Sequence, residues 1–362
     1  MRRMSAPDAT LMHDDRDICV ACGMAWWKRK RITQFLAADG HDLLFTDDAR
    51  QAVAAAGDGA IAVWPSRMPE GLEALAGDRL VRIEDGFIRS IGLGADLHPP
   101  LSVVVDRSGI YYDPSRPSDL ETILEETDFT PQLLARAEAL IDTIVLRGIS
   151  KYSSEAPVLV RARPSKHTIL VPGQVEDDLS VRRGGGGVSG NLDLLRRVRA
   201  AEPEAYILFK PHPDVDAGHR LGQVPDAEAR LHADEIVRGE SMPSLLARID
   251  GVHVLTSLTG FEALLRGLDV TVHGQPFFAG WGLTRDLAPP IARRTRNLSL
   301  TELVAGTLIL YPRYLDPISE RPCPPETLLQ RFAEGWKPKL TWLIRLRRLQ
   351  GRIARLFGTV SR

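Results

Sequence analysis

Short apolar runs alternate with stretches of helical periodicity along most of this chain, and that alternation restricts the fold more than any single motif does. Asp17 to Ala21, Asp42 to Phe45, Ala60 to Trp64 and Leu80 to Ile83 read as strands, with a helix over Trp27 to Ala38 and a shorter one before Leu80. Such a βαβα order implies a parallel sheet covered on both faces, because parallel neighbours need long crossovers and helices supply them. Ser102 to Val105 and Gly109 to Tyr112 read as two more strands about an Asp106-Arg107-Ser108 turn, followed by two helices ending near Leu146.

The theme then repeats. His167 to Val171, Ala205 to Phe209, Val252 to Thr256 and Val270 to His273 read as strands, with a helix over Leu192 to Ala201. A chain of 362 residues has length for roughly two domains with cores of their own. The expected fold class is α/β: two doubly wound, Rossmann-like domains facing a cleft, the GT-B arrangement of glycosyltransferases. The expected boundaries are a flexible N-terminus over 1–16, a first α/β domain over 17–150 and a Ser, Lys, Pro and Arg-rich linker over 151–166. A second α/β domain over 167–320 and C-terminal helices over 321–362 complete the scheme.

Charge is uneven despite a net value of −1. Beyond Glu334 the chain carries Lys337, Lys339, Arg345, Arg347, Arg348, Arg352, Arg355 and Arg362 and no acidic residue. Apolar and cationic residues recur there at helical spacing, which suits either a helix lying on anionic lipid or a terminal helix packed on its own domain. The rest of the chain offers no basic face, so nucleic acid is not an expected partner. No apolar run approaches the roughly 20 residues of a bilayer span, and Asp14 and Asp15 stand where a signal sequence would be apolar, so a cytoplasmic protein is expected, peripheral on the inner membrane face if the tail binds lipid. Cys19, Cys22 and Cys323 are too few for a disulfide framework, and Cys19-Val20-Ala21-Cys22 reads as buried structural thiols because no second Cys/His pair completes a zinc site.

Ligands of doubly wound sheets bind at the carboxyl ends of strands, where the notable residues fall. Lys210-Pro211-His212-Pro213 directly follows a strand, and a lysine and an imidazole on a proline-stiffened turn suit a phosphate. Thr256-Ser257-Leu258-Thr259-Gly260 precedes a helical stretch, Phe261 to Arg266, so Ser257, Thr259 and Gly260 form either an anion site or a plain helix cap, with Glu262 placed to accept from a ribose. Pro172-Gly173-Gln174 leads into Glu176-Asp177-Asp178, three acids in a row, either a chemical group or a solvated turn. Arg182, Arg183 and Gly184 to Gly187 read as a mobile loop tip. Asp214-Val215-Asp216 has the D-x-D spacing of metal-dependent sugar transferases but follows a turn, and Lys210, His212 and a helix N-terminus suffice to neutralise a leaving phosphate, so no metal or other cofactor is expected.

Glu84-Asp85-Gly86-Phe87-Ile88-Arg89-Ser90-Ile91-Gly92-Leu93-Gly94 is the most specific stretch of all. With Pro100-Leu101-Ser102, Gly109 to Asp113, Pro117 to Glu121, Trp27-Lys28, Gly173-Gln174 through Asp178, Lys210 to Pro213, Ser257 through Glu262 and Gly274 to Thr284, the sequence resembles the capsule polysaccharide biosynthesis and export proteins of Gram-negative bacteria, retaining β-Kdo transferases of the KpsC type. The likeness runs from about Cys19 to Asp286. Some members carry two transferase modules in tandem, and this chain has length for one.

The resemblance implies a CMP-Kdo donor, Kdo being a 3-deoxy-octulosonic acid, and a glycan or glycolipid acceptor. It implies Asp178 as the nucleophile of a covalent Kdo adduct, Glu84 with Asp85 as the group that removes the acceptor's proton, and His212 supporting departure of CMP. On the same reading Lys210, Ser257, Thr259, Gly260 and Glu262 hold phosphate and ribose, Gln174 lies in the nucleophile's segment, and Arg89 pairs with a carboxylate. Gln275 begins a segment, to Gly282, that closes over the donor or else belongs to the core. Two rivals remain: a transferase using CMP-sialic acid or a UDP-sugar, and a non-catalytic export factor that binds glycan.

Overall fold

The computed structural model describes residues 4–5, 15, 17–37, 40–88, 99–149 and 166–336. The expected flexible N-terminus, all of the linker except Lys166, the basic tail and Arg89 lie outside them, apart from Met4, Ser5 and Asp15.

Two large sheets carry the fold. The first is built from β1 (Ile18–Cys22), β2 (Leu44–Phe45), β3 (Ala60–Val63), β4 (Leu80–Asp85) and β5 (Ser102–Asp106). The second holds β6 (Thr168–Pro172), β7 (Tyr206–Lys210), β8 (Glu235–Ile236), β9 (Gly251–Val254), β10 (Asp269–Val272) and β11 (Arg285–Asp286). The chain then returns to the first sheet with β12 (Pro312–Leu315) and β13 (Pro322–Cys323), giving the orders β13-β12-β5-β4-β3-β1-β2 and β8-β7-β6-β9-β10-β11.

The second sheet is wholly parallel, as its strand–helix alternation requires. Its central strands are buried on both faces, which is why they read as unbroken apolar runs instead of alternating ones. The first sheet is mixed. β2, β1, β3 and β4 run parallel, but β5 lies antiparallel to β4 with Glu84 opposite Val104, and β12 lies antiparallel to β5.

Four sequence expectations are corrected. Gly109 to Tyr112 is a turn instead of a strand, because the buried carboxylate of Asp106 accepts the amides of Ser108 and Gly109 and ends the ladder at β5. The chain does not leave the first sheet for good near 150. Helical turns over Leu300–Val304 and Ala305–Leu310 pack on the helix Asp119–Glu126, where a Cβ on Gly306 would stand 2.5 Å from Leu124 Cδ2, and they deliver β12 to β5.

Arg182 to Gly187 is no loop tip. The helix Leu179–Gly184 includes both arginines, and Gly184 and Gly185 are buried. Cys19 is exposed while Cys22 is buried, since an odd separation along β1 sends the two thiols to opposite faces. Burial, with Asp47 beside it, pushes the Cys22 thiol up to about 11, so it is inert at neutral pH.

Apolar packing is continuous between the halves. Leu101, Leu120 and Leu124 of the first share one cluster with Leu170, Val252 and Phe278 of the second. Polar contacts reinforce it: the side chain of Arg294, only 2 % exposed, donates to Glu121 and to the carbonyls of Pro276 and Ala279, and Arg293 donates to the same glutamate. A charge this deep is tolerable because it is paired with a carboxylate and donates to two carbonyls as well.

Candidate active site

Three adjacent strands of the second sheet, β7, β6 and β9, end on the same edge. The strand order reverses between β6 and β9, and at such a switch point the flanking loops diverge and leave a crevice. Gln174, after β6, spans it: its amide nitrogen donates to Thr256 Oγ1 at 2.9 Å and its oxygen accepts the Thr256 amide at 2.9 Å. Both ends of that side chain are thereby occupied, so Gln174 braces the crevice floor.

Lys210 and His212 emerge from β7 as the turn anticipates. Lys210 Nζ donates to the Glu240 carbonyl at 2.7 Å, and burial lowers its affinity for protons against the opposing pull of Glu240 and Asp216. The buried Arg248–Glu240 ion pair, bidentate at 3.1 Å on both arms, fixes that carbonyl in turn. His212 caps the short helix Pro213–Asp216, its Nδ1 accepting from the Asp214 amide at 3.2 Å, which leaves Nε2 as the protonated nitrogen of the neutral ring. Gly173 lies against this turn, since a Cβ there would stand 3.3 Å from the backbone of both Pro211 and His212. A small concavity lined by Gly173, Asn191, His212, Asp216 and Arg238 opens beside it. Asp216 of the D-x-D motif sits in that helix and pairs with Arg238 at 2.8 Å.

After β9, Ser257 Oγ accepts the Thr259 amide at 3.3 Å and donates to the Thr259 hydroxyl at 3.1 Å, just ahead of the helix Thr259–Leu264, whose N-cap residue Leu258 offers no side-chain bond. Gly260 has a packing reason, since a Cβ would come within 2.6 Å of Phe278. Glu262 is buried in the first turn of that helix. Gln275 donates to the Pro289 carbonyl at 2.8 Å, and its amide donates to the Gly184 carbonyl at 2.7 Å. Of the two readings of its segment, Phe277, Phe278 and Trp281 belong to the core: all are buried, and Trp281 Nε1 donates to the Phe277 carbonyl.

The three consecutive acids find three different surroundings. Glu176 accepts the Asn191 amide, and Asp177 pairs with Arg220. Asp178 is half-buried and N-caps the helix Leu179–Gly184; its Oδ1 accepts from the Ser180 amide at 2.9 Å and the Ser180 hydroxyl at 2.8 Å. Among the described residues no hydrogen bond reaches Oδ2.

The opposing acids sit at the end of β4. Asp85 pairs with Lys28 at 3.5 Å, and the buried Lys28 ammonium lies 3.2 Å from the centroid of Trp64. Glu84 folds back to accept the Asp85 amide at 3.0 Å.

Between the two groups of acids stand Tyr111 and Tyr112, on the turn that follows β5. Burial raises both phenols first and Glu84 next; Asp178, from the other sheet, follows directly for Tyr112 and comes last, after Tyr112 and Asp85, for Tyr111. Charges from opposing strand ends therefore converge on one pair of hydroxyls. Asp113, next in the chain, is 3.5 Å from Arg183. Sequence reasoning missed Tyr112, Arg183 and the Lys28–Trp64 contact as parts of the site, because a tyrosine mistaken for a strand residue and an arginine mistaken for a loop tip carry no local mark of convergence. The signal available was the run Tyr111-Tyr112-Asp113 shortly after an apolar strand.

Two α/β sheets with acids at the carboxyl ends of their strands fit a glycosyltransferase-like α/β protein. Residues 59–163 and 155–314 match the model of the family described as capsule polysaccharide biosynthesis protein, and the chain belongs to that family, as a KpsC-type member. It is 43 % identical over 313 residues to the capsule polysaccharide modification protein LipA of Neisseria meningitidis serogroup A, covering 85 % of this chain and 44 % of that protein. It is 47 % identical over 240 residues to the lipopolysaccharide-processing protein LpsZ of Rhizobium meliloti, covering 65 % of this chain and 54 % of that one. The chain thus spans about half the length of the curated relatives it matches.

Among solved structures it is similar to the beta Kdo 2,7 transferase of Thermosulfurimonas dismutans KpsC, with TM-score 0.71 and 35 % identity over 88 % of this chain and 99 % of that one. The beta Kdo 2,4 transferase of the same protein matches with TM-score 0.75 and 30 % identity over 86 % and 97 % of the two chains.

Proposed function

We propose that this chain is a retaining glycosyltransferase of GT-B arrangement that moves Kdo from CMP-Kdo to a glycan or glycolipid acceptor in capsule polysaccharide biosynthesis. The observation that carries the reading is the helix headed by Asp178, which meets the Tyr112–Asp113 turn of the other sheet through Gly184 and Arg183, with Glu84 also acting on the phenols of that turn. The similarity to two solved β-Kdo transferases supports the sugar.

In this reading the donor lies along the ends of β7, β6 and β9. Lys210 and the Nε2–H of His212 face the phosphate, and the loop from Ser257 to Glu262 faces the nucleoside. Asp178 Oδ2 attacks the anomeric carbon as the bond from that carbon to the phosphate oxygen breaks, and CMP departs with the electron pair, its charge met by Lys210 and His212. The acceptor hydroxyl then attacks the same carbon from the vacated face, its proton passes to Glu84 and the Asp178 carboxylate leaves. Two inversions give net retention. Lys28 pairs with Asp85 and so holds that carboxylate beside Glu84.

The acceptor's lipid fits a position at the inner membrane face, with the cationic residues beyond Glu334 drawn to anionic headgroups. No described helix is long and apolar enough to cross a membrane. Incubating purified protein with CMP-Kdo and a soluble glycolipid-analogue acceptor should release CMP and yield a β-Kdo product by NMR. An α-linked product removes the double-displacement step, and turnover confined to CMP-sialic acid or a UDP-sugar reassigns the donor.

A further inference from the structure

We propose that Tyr112 and Arg183 together recognise the carboxylate of the donor sugar, Tyr112 by donating its phenolic hydrogen and Arg183 through its guanidinium. The inference rests on the donor being an acidic ketose and names the residues that read its acid group.

Tyr112 carries a buried polar atom with no internal use. The residue is 8 % exposed, and its hydroxyl has no hydrogen-bond partner among the described residues. Buried hydroxyls in folded proteins are nearly always paired, because an unpaired one gives up its hydration without return. The position is also fixed. Asp106 holds the start of the turn through the Ser108 and Gly109 amides, the ring of Tyr112 meets Tyr111 edge-on at 5.2 Å, and Tyr111 is wedged against Phe87 and Phe277. A hydroxyl held rigidly without a partner in a cleft of acids is arranged for a ligand.

The electrostatics decide what the hydroxyl can do. Burial and the neighbouring Glu84, Asp178 and Asp113 all raise the phenol, so it stays protonated and can act as a donor at any physiological pH. Arg183 opposes them, which places its cationic charge in range of the same hydroxyl. It occupies the last turn of the helix that Asp178 caps, and that helix ends against the turn, a Cβ on Gly184 reaching to 3.4 Å from the Tyr112 carbonyl. One short helix therefore presents the nucleophile candidate at its start and a cation at its end.

An anionic sugar entering a cleft with Glu84, Asp85, Asp113 and Asp178 needs a local donor and cation for its carboxylate. Asp113 engages Arg183 only at 3.5 Å on one arm, and a guanidinium has five donors, so capacity for a second carboxylate remains.

The test compares wild type, Tyr112→Phe and Arg183→Gln in steady-state turnover of CMP-Kdo, with binding of CMP alone and of free Kdo measured by calorimetry. For Tyr112→Phe the expected result is a KM for CMP-Kdo raised about 10- to 100-fold, the size expected for losing one hydrogen bond to a charged group. Free Kdo should bind more weakly to both variants, and CMP equally well. The thermal midpoint of Tyr112→Phe should not fall, because the hydroxyl makes no internal bond; a merely structural role would lower it and would weaken CMP and Kdo alike. An active wild type with unchanged KM and unchanged Kdo binding in both variants overturns the carboxylate assignment alone. A wild type that binds neither Kdo nor CMP-Kdo overturns the donor reading and the assignment with it.

Discussion

Asp178 has two jobs in this structure, and replacing it by alanine would confuse them. Its Oδ1 accepts from the Ser180 amide and hydroxyl as the N-cap of a six-residue helix, while Oδ2 is the atom proposed to attack. Asparagine caps helices about as well as aspartate, so Asp178→Asn should keep the Oδ1 bonds and cost only a few tenths of a kcal/mol, against roughly 1 kcal/mol for Asp178→Ala. In a chain of this size 1 kcal/mol shifts the thermal midpoint by only about 2 °C. Activity should respond on a different scale. An amide oxygen is a far poorer nucleophile, and loss of a covalent catalyst costs on the order of 10⁴-fold or more in kcat. Paired measurements of thermal unfolding and of CMP release from CMP-Kdo separate the two roles. The expected outcome is that both variants lose turnover equally while only Asp178→Ala melts measurably lower. Turnover of Asp178→Asn within about tenfold of wild type would refute the nucleophile and leave the residue a cap.

Arg248→Met leaves the Glu240 carboxylate, whose side chain is 3 % exposed, without its bidentate partner. A loss of about 3–5 kcal/mol in denaturant unfolding is expected, with much of it recovered in Glu240→Leu/Arg248→Met. His253 and His273, buried and 3.1 Å apart, are pushed down by burial to about 3 and about 4, so the folded protein holds both neutral at pH 7. The unfolded chain binds protons near pH 6.5 and the folded one does not; their stabilisation is therefore complete above pH 6.5 and drains away as pH falls toward 4. The loss by pH 5 is about 2 kcal/mol for each histidine, and a His253→Asn/His273→Asn variant should show a flatter stability profile over that range. Removing residues 337–362 should weaken sedimentation with anionic vesicles and leave CMP release on a soluble acceptor unchanged; equal vesicle binding by both chains would rule out the basic segment as the anchor.

Much of the second sheet was legible because its four longer strands are continuous apolar runs whose ends carry polar motifs; the two-residue edge strands Glu235–Ile236 and Arg285–Asp286 have no such run. Less of the first sheet was. Gly109 to Tyr112 has a strand's composition, and only the Asp106 carboxylate, reaching forward to two amides, turns it into a loop. Gln174 reads as a ligand-binding amide, and its bonds at both ends to Thr256, 82 residues away, are not visible in the sequence. Gly260 reads as an anion-loop glycine, and the packing reason that Phe278 adds for it comes from 18 residues further along the chain.

What the sequence by itself determined is therefore local: which stretches repeat with period two or near 3.6, where prolines and glycines interrupt them, and which polar clusters stand at the interruptions. Strand direction, the return of Pro312–Leu315 to the first sheet, and the meeting of Glu84 and Asp178 about one pair of tyrosines were decided by tertiary structure. The physical reason is range. Periodicity is set by neighbours along the chain, whereas pairing, burial and the field on a buried hydroxyl depend on residues a hundred positions apart.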